Sequence, residues 1–343
     1  MNHKERFFAT IERKIVDRPA SWLGMPHQSS YNRLFKYFKV TSIRKLKEKI
    51  GDDLWEVDVP YNCPPSNHIA CAFNFAKDRT LQYETRTLTA PGFFEDYTDP
   101  SKIDDFAWPD PAKHLTPEAC RKAVEMAPEA YPILGVLWPC HFQDACAAFG
   151  MEKALINLLL VPEMFTAVIE RITEFYLRAN EIFYEATQGK LDAVLIGNDF
   201  GGQRGLMVSP AHIRKFVMPT QKQIVDQAKD YSLKVIFHSC GSIYPLIPDL
   251  IKIGVDAIHP IQALAVNMEP EKLKREFGSR VSFCGGIDVQ QLMVGGTPAQ
   301  IYERVKELTK LFPTGLIISP SHEALLPDVN PANVKALFDA LKS

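Results

Sequence analysis

From Tyr131 onward the chain alternates short runs rich in Ile and Val with longer amphipathic stretches, and no other feature of its 343 residues limits the possible folds as tightly. The short runs are PILGVLW (132–138), AVLIGND (193–199), KVIFHSC (234–240), AIHPIQ (257–262), VSFCGGI (281–287) and GLIISPSH (315–322). Between them lie MEKALINLLLVPEMFTAVIERITEFYLRANEIF, SPAHIRKFVMPTQKQIVDQAKDY, IYPLIPDLIKIG and TPAQIYERVKELTKLF. Strands apolar on both faces and separated by helices belong to a parallel sheet covered on both sides. So many consecutive β–α units, with no Gly-rich phosphate-cradling turn near the start, predict a closed (β/α)8 TIM barrel rather than an open sheet. Residues 1–130 read differently. They hold an amphipathic helix over 4–15, an apolar run at 20–25 and a helix around 31–37, followed by polar, Pro-rich turns at Pro60, Pro64, Pro65, Pro91, Pro109 and Pro111. This irregular third is expected to supply early strands and cap the barrel mouth, within a single domain spanning 1–343.

Composition removes several classes of function. A content of 46% hydrophobic and 23% charged residues excludes wholesale disorder. Lys plus Arg (39) against Asp plus Glu (41) leaves a net charge of −2, which argues against a nucleic-acid protein resting on a basic excess. No stretch approaches the ~18 apolar residues of a membrane span, and the opening MNHKERFFATIERK lacks the apolar core of a signal peptide. The seven cysteines follow no framework spacing and read as thiols in a reducing cytoplasm, some of them available to a metal.

In a parallel barrel the site lies where the strands end and the βα-loops converge. The polar residues closing the expected strands are Asn198 and Asp199, His238 and Cys240, His259 and Gln262, Cys284 and Asp288, then Ser321, His322 and Glu323. His238 and Cys240 alternate along one strand and so aim at a common point. Imidazole nitrogen with thiolate sulfur suits zinc. An isolated pair of this kind is more often a core histidine beside a structural thiol, but further donors at neighbouring strand ends favour a metal. Cys284 and His322 both stand open as the third ligand. Glu323 is either a fourth ligand or the partner that orients His322. Asp199 is placed to act as general acid or base or to hold a substrate hydroxyl, and Arg204 in the same loop to meet an anionic group. Trp138, in Trp-Pro-Cys-His, would stack on a flat substrate beside His141. With Asn198 and Gln262 it is the expected contact for a cofactor. Tyr61, Asn62, His68, Phe73 and Asn74 are candidate pocket residues, and Asn333 is expected to open the last helix.

These residues carry a family resemblance. From about Leu191 the chain resembles the uroporphyrinogen decarboxylase superfamily through GLMVSPAHIRKFVMPTQKQIV, FHSCGSIYPLIPDLIKIGVDAIHPIQ, VSFCGGIDVQQLMVGGTPAQI and IISPSHEALLPDVNPANVKAL, with weaker similarity in AFGMEKALINLLLVPEMF and PGFFEDYTDPSKIDDFAWPDP. The resemblance implies a TIM barrel. The decarboxylases proper carry a Met-Arg-Gln-Ala-Gly-Arg segment that grips an acidic tetrapyrrole, whereas RPASWLGMPHQSS stands here without either of those arginines. A substrate with many carboxylates needs such forks, so porphyrinogen decarboxylation is disfavoured. The other branch comprises zinc-dependent, corrinoid-linked methyltransferases such as the methylcobalamin:coenzyme M methyltransferases, whose zinc motif is His-x-Cys plus a distant Cys. His238 and Cys240 match its first two positions, and His322 falls at the third. One thiolate with two imidazoles leaves a more Lewis-acidic zinc than two thiolates do, which points to a methoxy compound as well as a thiol. The implied protein is a cytoplasmic zinc methyltransferase working with a corrinoid (methylcobalamin) supplied by a partner protein, since the chain shows no cobalamin-binding module of its own. Two other readings stay open: a metal-free decarboxylase or lyase using Asp199 and Arg204 on a small carboxylated substrate, and a non-catalytic barrel holding a corrinoid protein or ligand.

Overall fold

The structure is a computed structural model that describes residues 1–63, 72–77, 87 and 89–342. Its strands are β1 (Trp55–Asp58), β2 (Ile133–Val136), β3 (Ala193–Gly197), β4 (Gly201–Gly202), β5 (Gly205–Leu206), β6 (Lys234–His238), β7 (Ala257–Ile261), β8 (Ser282–Ile287) and β9 (Leu316–Pro320). β4 and β5 form a small antiparallel hairpin; the others make one parallel sheet in the order β1-β2-β3-β6-β7-β8-β9. The sheet closes on itself through residues 20–23. Ser21 bridges to Ile318 in parallel. Ile318 N–H donates to Ala20 O (2.8 Å) and Trp22 N–H to Ile318 O (3.0 Å), while Asp53 N–H donates to Ser21 O (3.1 Å) on the other side. The apolar run at 20–25 thus becomes the stave between β9 and β1, and the expected TIM barrel is the fold.

Alternation along each strand builds two cores. Leu134, Val136, Leu195, Ile236, Ala257, Cys284 and Ile317 point inward around Trp22 and Leu54. Ile133, Val194, Ile196, Val235, Phe237, Ile258, Phe283 and Ile318 point outward onto the helices. Each such aliphatic side chain contributes roughly 1.5–3 kcal/mol on full burial, so residues with an apolar neighbour on both faces specify a sheet sandwiched by other layers.

The closing stave is held by charge as well as by the ladder. The Asp53 carboxylate is fully buried. It accepts hydrogen bonds from Arg6 Nη1 (2.7 Å), Arg18 Nη1 (2.7 Å), the Ser21 backbone N–H (2.9 Å) and the Ser21 hydroxyl (3.1 Å), with His3 Nδ1 at 2.8 Å.

Several boundaries differ from the sequence reading. The first helix is His3–Ile11, because Arg13 turns the chain with a left-handed φ of 58°. The long amphipathic stretch splits into Met151–Leu160 and Pro162–Ala186: Pro162 lacks the N–H an uninterrupted helix needs there but suits a helix start. The last helix, Pro331–Lys342, opens on Asn330, whose Oδ1 accepts from Ala332 N–H (3.0 Å). Asn333 lies inside it and donates to the carbonyls of Met293 (3.1 Å) and Gly296 (2.8 Å). Phe73 packs against Phe175 (4.6 Å between rings) and Phe75, and Tyr61 is buried, so this part of the N-terminal region docks onto helix Pro162–Ala186. His68 lies outside the described residues. Among the described residues no helix is long and apolar enough to cross a membrane.

Candidate metal centre

His238 closes β6, and the parallel register sets it opposite His259 of β7. Two residues on, Cys240 turns back beside it, with Sγ 3.5 Å from His238 Nε2. Gly241 follows at φ 76°, a left-handed turn that glycine adopts without strain, and its N–H donates to Gln262 Oε1 (2.8 Å). From the end of β3, Asp199 Oδ1 accepts the Cys240 N–H (2.8 Å) and stands 3.4 Å from His238 Nε2. Beyond β9, Glu323 Oε2 lies 3.5 Å from His238 Nδ1 and 3.4 Å from His322 Nδ1. Ligand atoms of Asp199, His238 and Cys240 lie within 4.8 Å of one another, and so do those of His238, His259 and Glu323. Four strands therefore deliver donors to one end of the barrel. Trp138, Asn198, Asp199, His238 and Glu323 line a cavity of about 200 Å³ there, with Cys140 and Gln143.

The electrostatics favour a positive hub. Burial works against protonating His238, but hydrogen bonds with Asp199 and Cys240 and the charge of Glu323 outweigh it and hold the imidazole at about 10. Burial likewise opposes ionisation of Cys240 and Asp199. Contacts with His238 lead the opposition in both, aided by His322 at Cys240, and leave each acid below its ordinary value. His322 is raised, chiefly by its hydrogen bond with Cys240. His259 is pushed well below the usual imidazole value by burial and then by the two neighbouring histidines. A thiol, two carboxylates and three imidazoles thus gather around a buried point. That field equally suits a divalent cation, and a Cys/His/carboxylate set is chemically matched to zinc. One atom carries the fit further: Glu323 Oε2 is buried and takes no hydrogen bond among the described residues. Gly24 makes the closeness of this wall possible. With φ 83° it abuts Glu323 O, where a Cβ would come within 2.4 Å, and the Met25 N–H donates to the same oxygen (2.6 Å).

The other expected site residues divide. Trp138 sets its ring edge-on to His238 (5.2 Å between centroids). Asn198 reaches the cavity, but its amide is engaged with Phe142 N–H (2.9 Å), Gln221 (3.0 Å) and His141 (3.2 Å). His141 is buried beneath it on Pro139 O (3.1 Å). Gln262 holds the Gly241 turn. His322 is edge-on to His238 at 6.2 Å, and its Nδ1 accepts the Ala324 N–H (3.0 Å). This leaves the proton on Nε2, so binding a metal through that nitrogen requires the Ala324 bond to be released. Cys284 points into the inner barrel core, 3.4 Å from the Ser319 hydroxyl, and burial pushes its thiol up to about 12. It is not brought to the cluster. Arg204 sits exposed on the turn between β4 and β5, whereas Asp199 faces His238. His259 joins the cluster, its Nδ1 2.9 Å from His238 Nδ1. Sequence reading placed it at a strand end without a role; its ladder position opposite His238 was the available signal.

Comparison with known proteins agrees with this architecture. Over 217 residues the chain is 26% identical to a methylated-thiol–coenzyme M methyltransferase of Methanosarcina mazei, a match covering 62% of this chain and 54% of that enzyme. It is 31% identical over 138 residues to a uroporphyrinogen decarboxylase of Chlorobium phaeobacteroides, covering 38% of this chain and 36% of the relative. The matched regions thus span about half or less of these curated relatives. Among solved structures, a methyltransferase from Methanosarcina mazei superposes with a TM-score of 0.70 at 17% identity, covering 100% of this chain and 98% of that one, a likeness of fold. The family model for uroporphyrinogen decarboxylase (URO-D) matches residues 75–343, so the chain, a parallel barrel with its polar residues gathered at one set of strand ends, belongs to the uroporphyrinogen decarboxylase family.

Proposed function

We propose that this protein is a zinc-dependent methyltransferase, moving a methyl group between a small thiol or methoxy-type substrate and a corrinoid carried by a partner protein. The observation that supports it is the gathering of His238 Nε2, Cys240 Sγ and Asp199 Oδ1 at one point. His238 and Cys240 are the proposed core of the zinc site, with its remaining positions drawn from Asp199, His322 and Glu323. Zinc bound there supplies a Lewis acid that lowers the pKa of a thiol or draws electron density from an ether oxygen. The chain's own residues do the positioning. Trp138 walls the cavity and shields His238 from water, and Gln262 fixes the turn after Cys240. Asp199 holds the Cys240 backbone and, where His322 and Glu323 complete the metal site instead, would take or return a proton at the substrate heteroatom. Similarity to a methylated-thiol methyltransferase supports this reading. Similarity to a uroporphyrinogen decarboxylase supports a second reading, decarboxylation or lyase chemistry of a small carboxylated substrate with Asp199 and Arg204, in which Arg204 would act from an exposed turn.

The test is zinc content of the wild type and of His238→Ala, Cys240→Ala, His322→Ala and Cys284→Ala, paired with methyl transfer from methylcobalamin to a thiol. Stoichiometric zinc that is lost in the His238 and Cys240 variants and kept in Cys284→Ala is the expected result. Activity that survives both chelation and His238→Ala would sink the proposal.

A further inference from the structure

A second and larger cavity, of about 700 Å³, lies on the far side of the Met25 wall, a volume that suits a small organic ligand. Met25, whose N–H is bound to Glu323 O, lines it together with Tyr31, Ile43 and Trp55, so much of its surface is apolar and aromatic. Two carboxylates, Glu56 and Asp58, point into it from alternate positions of β1. Glu56 Oε2 lies 2.9 Å from Lys47 Nζ and accepts from Trp22 Nε1 (3.3 Å). The same Lys47 ammonium is also bound to Asp52 Oδ2 (2.6 Å). Asp58, exposed at the end of β1, makes no ion pair among the described residues; partial loss of hydration and then the charge of Glu56 push its carboxyl above the usual range. Arg44, the other charged lining residue, is paired with Glu48 (3.0 Å). The lining thus carries two carboxylates, Glu56 paired with the buried Lys47 and Asp58 without an ion pair among the described residues, beside two aromatic rings.

A metal ion would find too few oxygens in such a lining, and an anion would meet the wrong charge. A diffuse cation with alkyl substituents satisfies both the carboxylate and the rings, whose faces attract positive charge. We propose that this cavity binds a small organic cation, a quaternary or methylated ammonium compound, with its charge against Asp58 and its alkyl surface against Tyr31 and Trp55. Such binding needs no zinc.

The probes are choline, its neutral isostere 3,3-dimethylbutan-1-ol and the anionic counterpart 3,3-dimethylbutyrate. Each is titrated calorimetrically into the full chain before and after chelation. Choline should bind about tenfold more tightly than the alcohol, a difference of the size that a cation–π contact plus one partly solvated carboxylate provides. Asp58→Asn should weaken choline about tenfold and leave the alcohol unchanged. Trp55→Leu should weaken choline while Trp55→Phe retains most of its affinity. Should Asp58→Asn fail to fold, judged by its melting curve, the comparison of the three probes on the wild type decides alone. Equal affinity for choline and the alcohol, or tighter binding of the carboxylate through Arg44, overturns the proposal. Choline binding that persists after chelation, in a protein that never held zinc, would keep this pocket and refute the metal centre.

Discussion

Asp53 should be among the costliest single residues to remove, because it ties the closing stave to the first helix from a position with no access to solvent. In Asp53→Ala, Arg6, whose side chain is 8% exposed, loses one of its two carboxylate partners, and Arg18, at 17%, loses its carboxylate partner. Breaking a buried pair costs about 3–5 kcal/mol. Arg6 keeps Asp17 (2.7 Å) and Arg18 keeps the carbonyls of Pro19 and Gly51, which sets the expectation near the lower end, about 3 kcal/mol. At about 2.1 cal/mol/K per residue the unfolding entropy of this chain is about 0.7 kcal/mol/K, so Tm should fall by about 4 °C. The pH dependence gives an independent check. Burial opposes ionisation of Asp53, but His3, Arg18 and Arg6 together bring its carboxyl below the usual range. A carboxylate lowered in the folded state stabilises fully above its unfolded value of about 3.9 and loses that contribution as the pH falls through the folded value. Thermal melts at pH 7 and pH 3.5 should therefore show the gap between wild type and variant narrowing in acid. A shift under about 1 °C at pH 7, or an equal gap at both pH values, would refute the reasoning.

Glu323→Gln should lower zinc affinity about 10- to 100-fold in competition with a chelator, whether the carboxylate ligates the metal or orients His322. Gly24→Ala places a methyl group against Glu323 O at a left-handed position, so both Tm and zinc affinity should fall, whereas unchanged values would mean this wall is not needed. Burial pushes the Asp144 carboxyl up to about 7 although the Tyr176 hydroxyl donates to it (2.6 Å). A carboxyl raised in the folded state stabilises below its unfolded value and loses that contribution as the pH rises through 7, so the Tm of Asp144→Asn relative to wild type should climb between pH 4 and pH 8.

The barrel was legible because six of its strands, β2, β3 and β6 to β9, are apolar on both faces and flanked by amphipathic helices. β1 was not, since Trp-Glu-Val-Asp turns Glu56 and Asp58 inward to meet Lys47 and the second cavity, and so lacks the apolar run of a buried strand. The stave at 20–23 was visible only as an apolar run. Its partners, Ile318 and Asp53, are supplied by tertiary closure. At the candidate site, strand-end position brought Asp199, His238, Cys240, His322 and Glu323 to one end of the barrel, because the ends of parallel strands converge whatever the loops do. The choice between Cys284 and His322 was not legible. His322 follows β9, but Cys284 lies inside β8, where its place along the strand sets it below the strand end in the inner core, and only the exact strand boundary decides that. Likewise nothing in the sequence distinguished Asn198, spent on fixing Phe142 and His141, from an amide free to greet a ligand.

The stave has a further consequence for the order of events during biosynthesis. Glu323 is held in place by Gly24 and Met25, and nearby the Ser30 hydroxyl reaches Leu325 O (2.7 Å) across a separation of 295 residues. Contacts so remote form late, after local β–α units have condensed. A nascent chain that has emerged as far as Cys240 already carries an imidazole and a thiol side by side, yet lacks the carboxylate wall. With zinc as the proposed occupant, ions captured by such an intermediate would exchange freely, and commitment to a single metal would await the moment when the two distant segments dock.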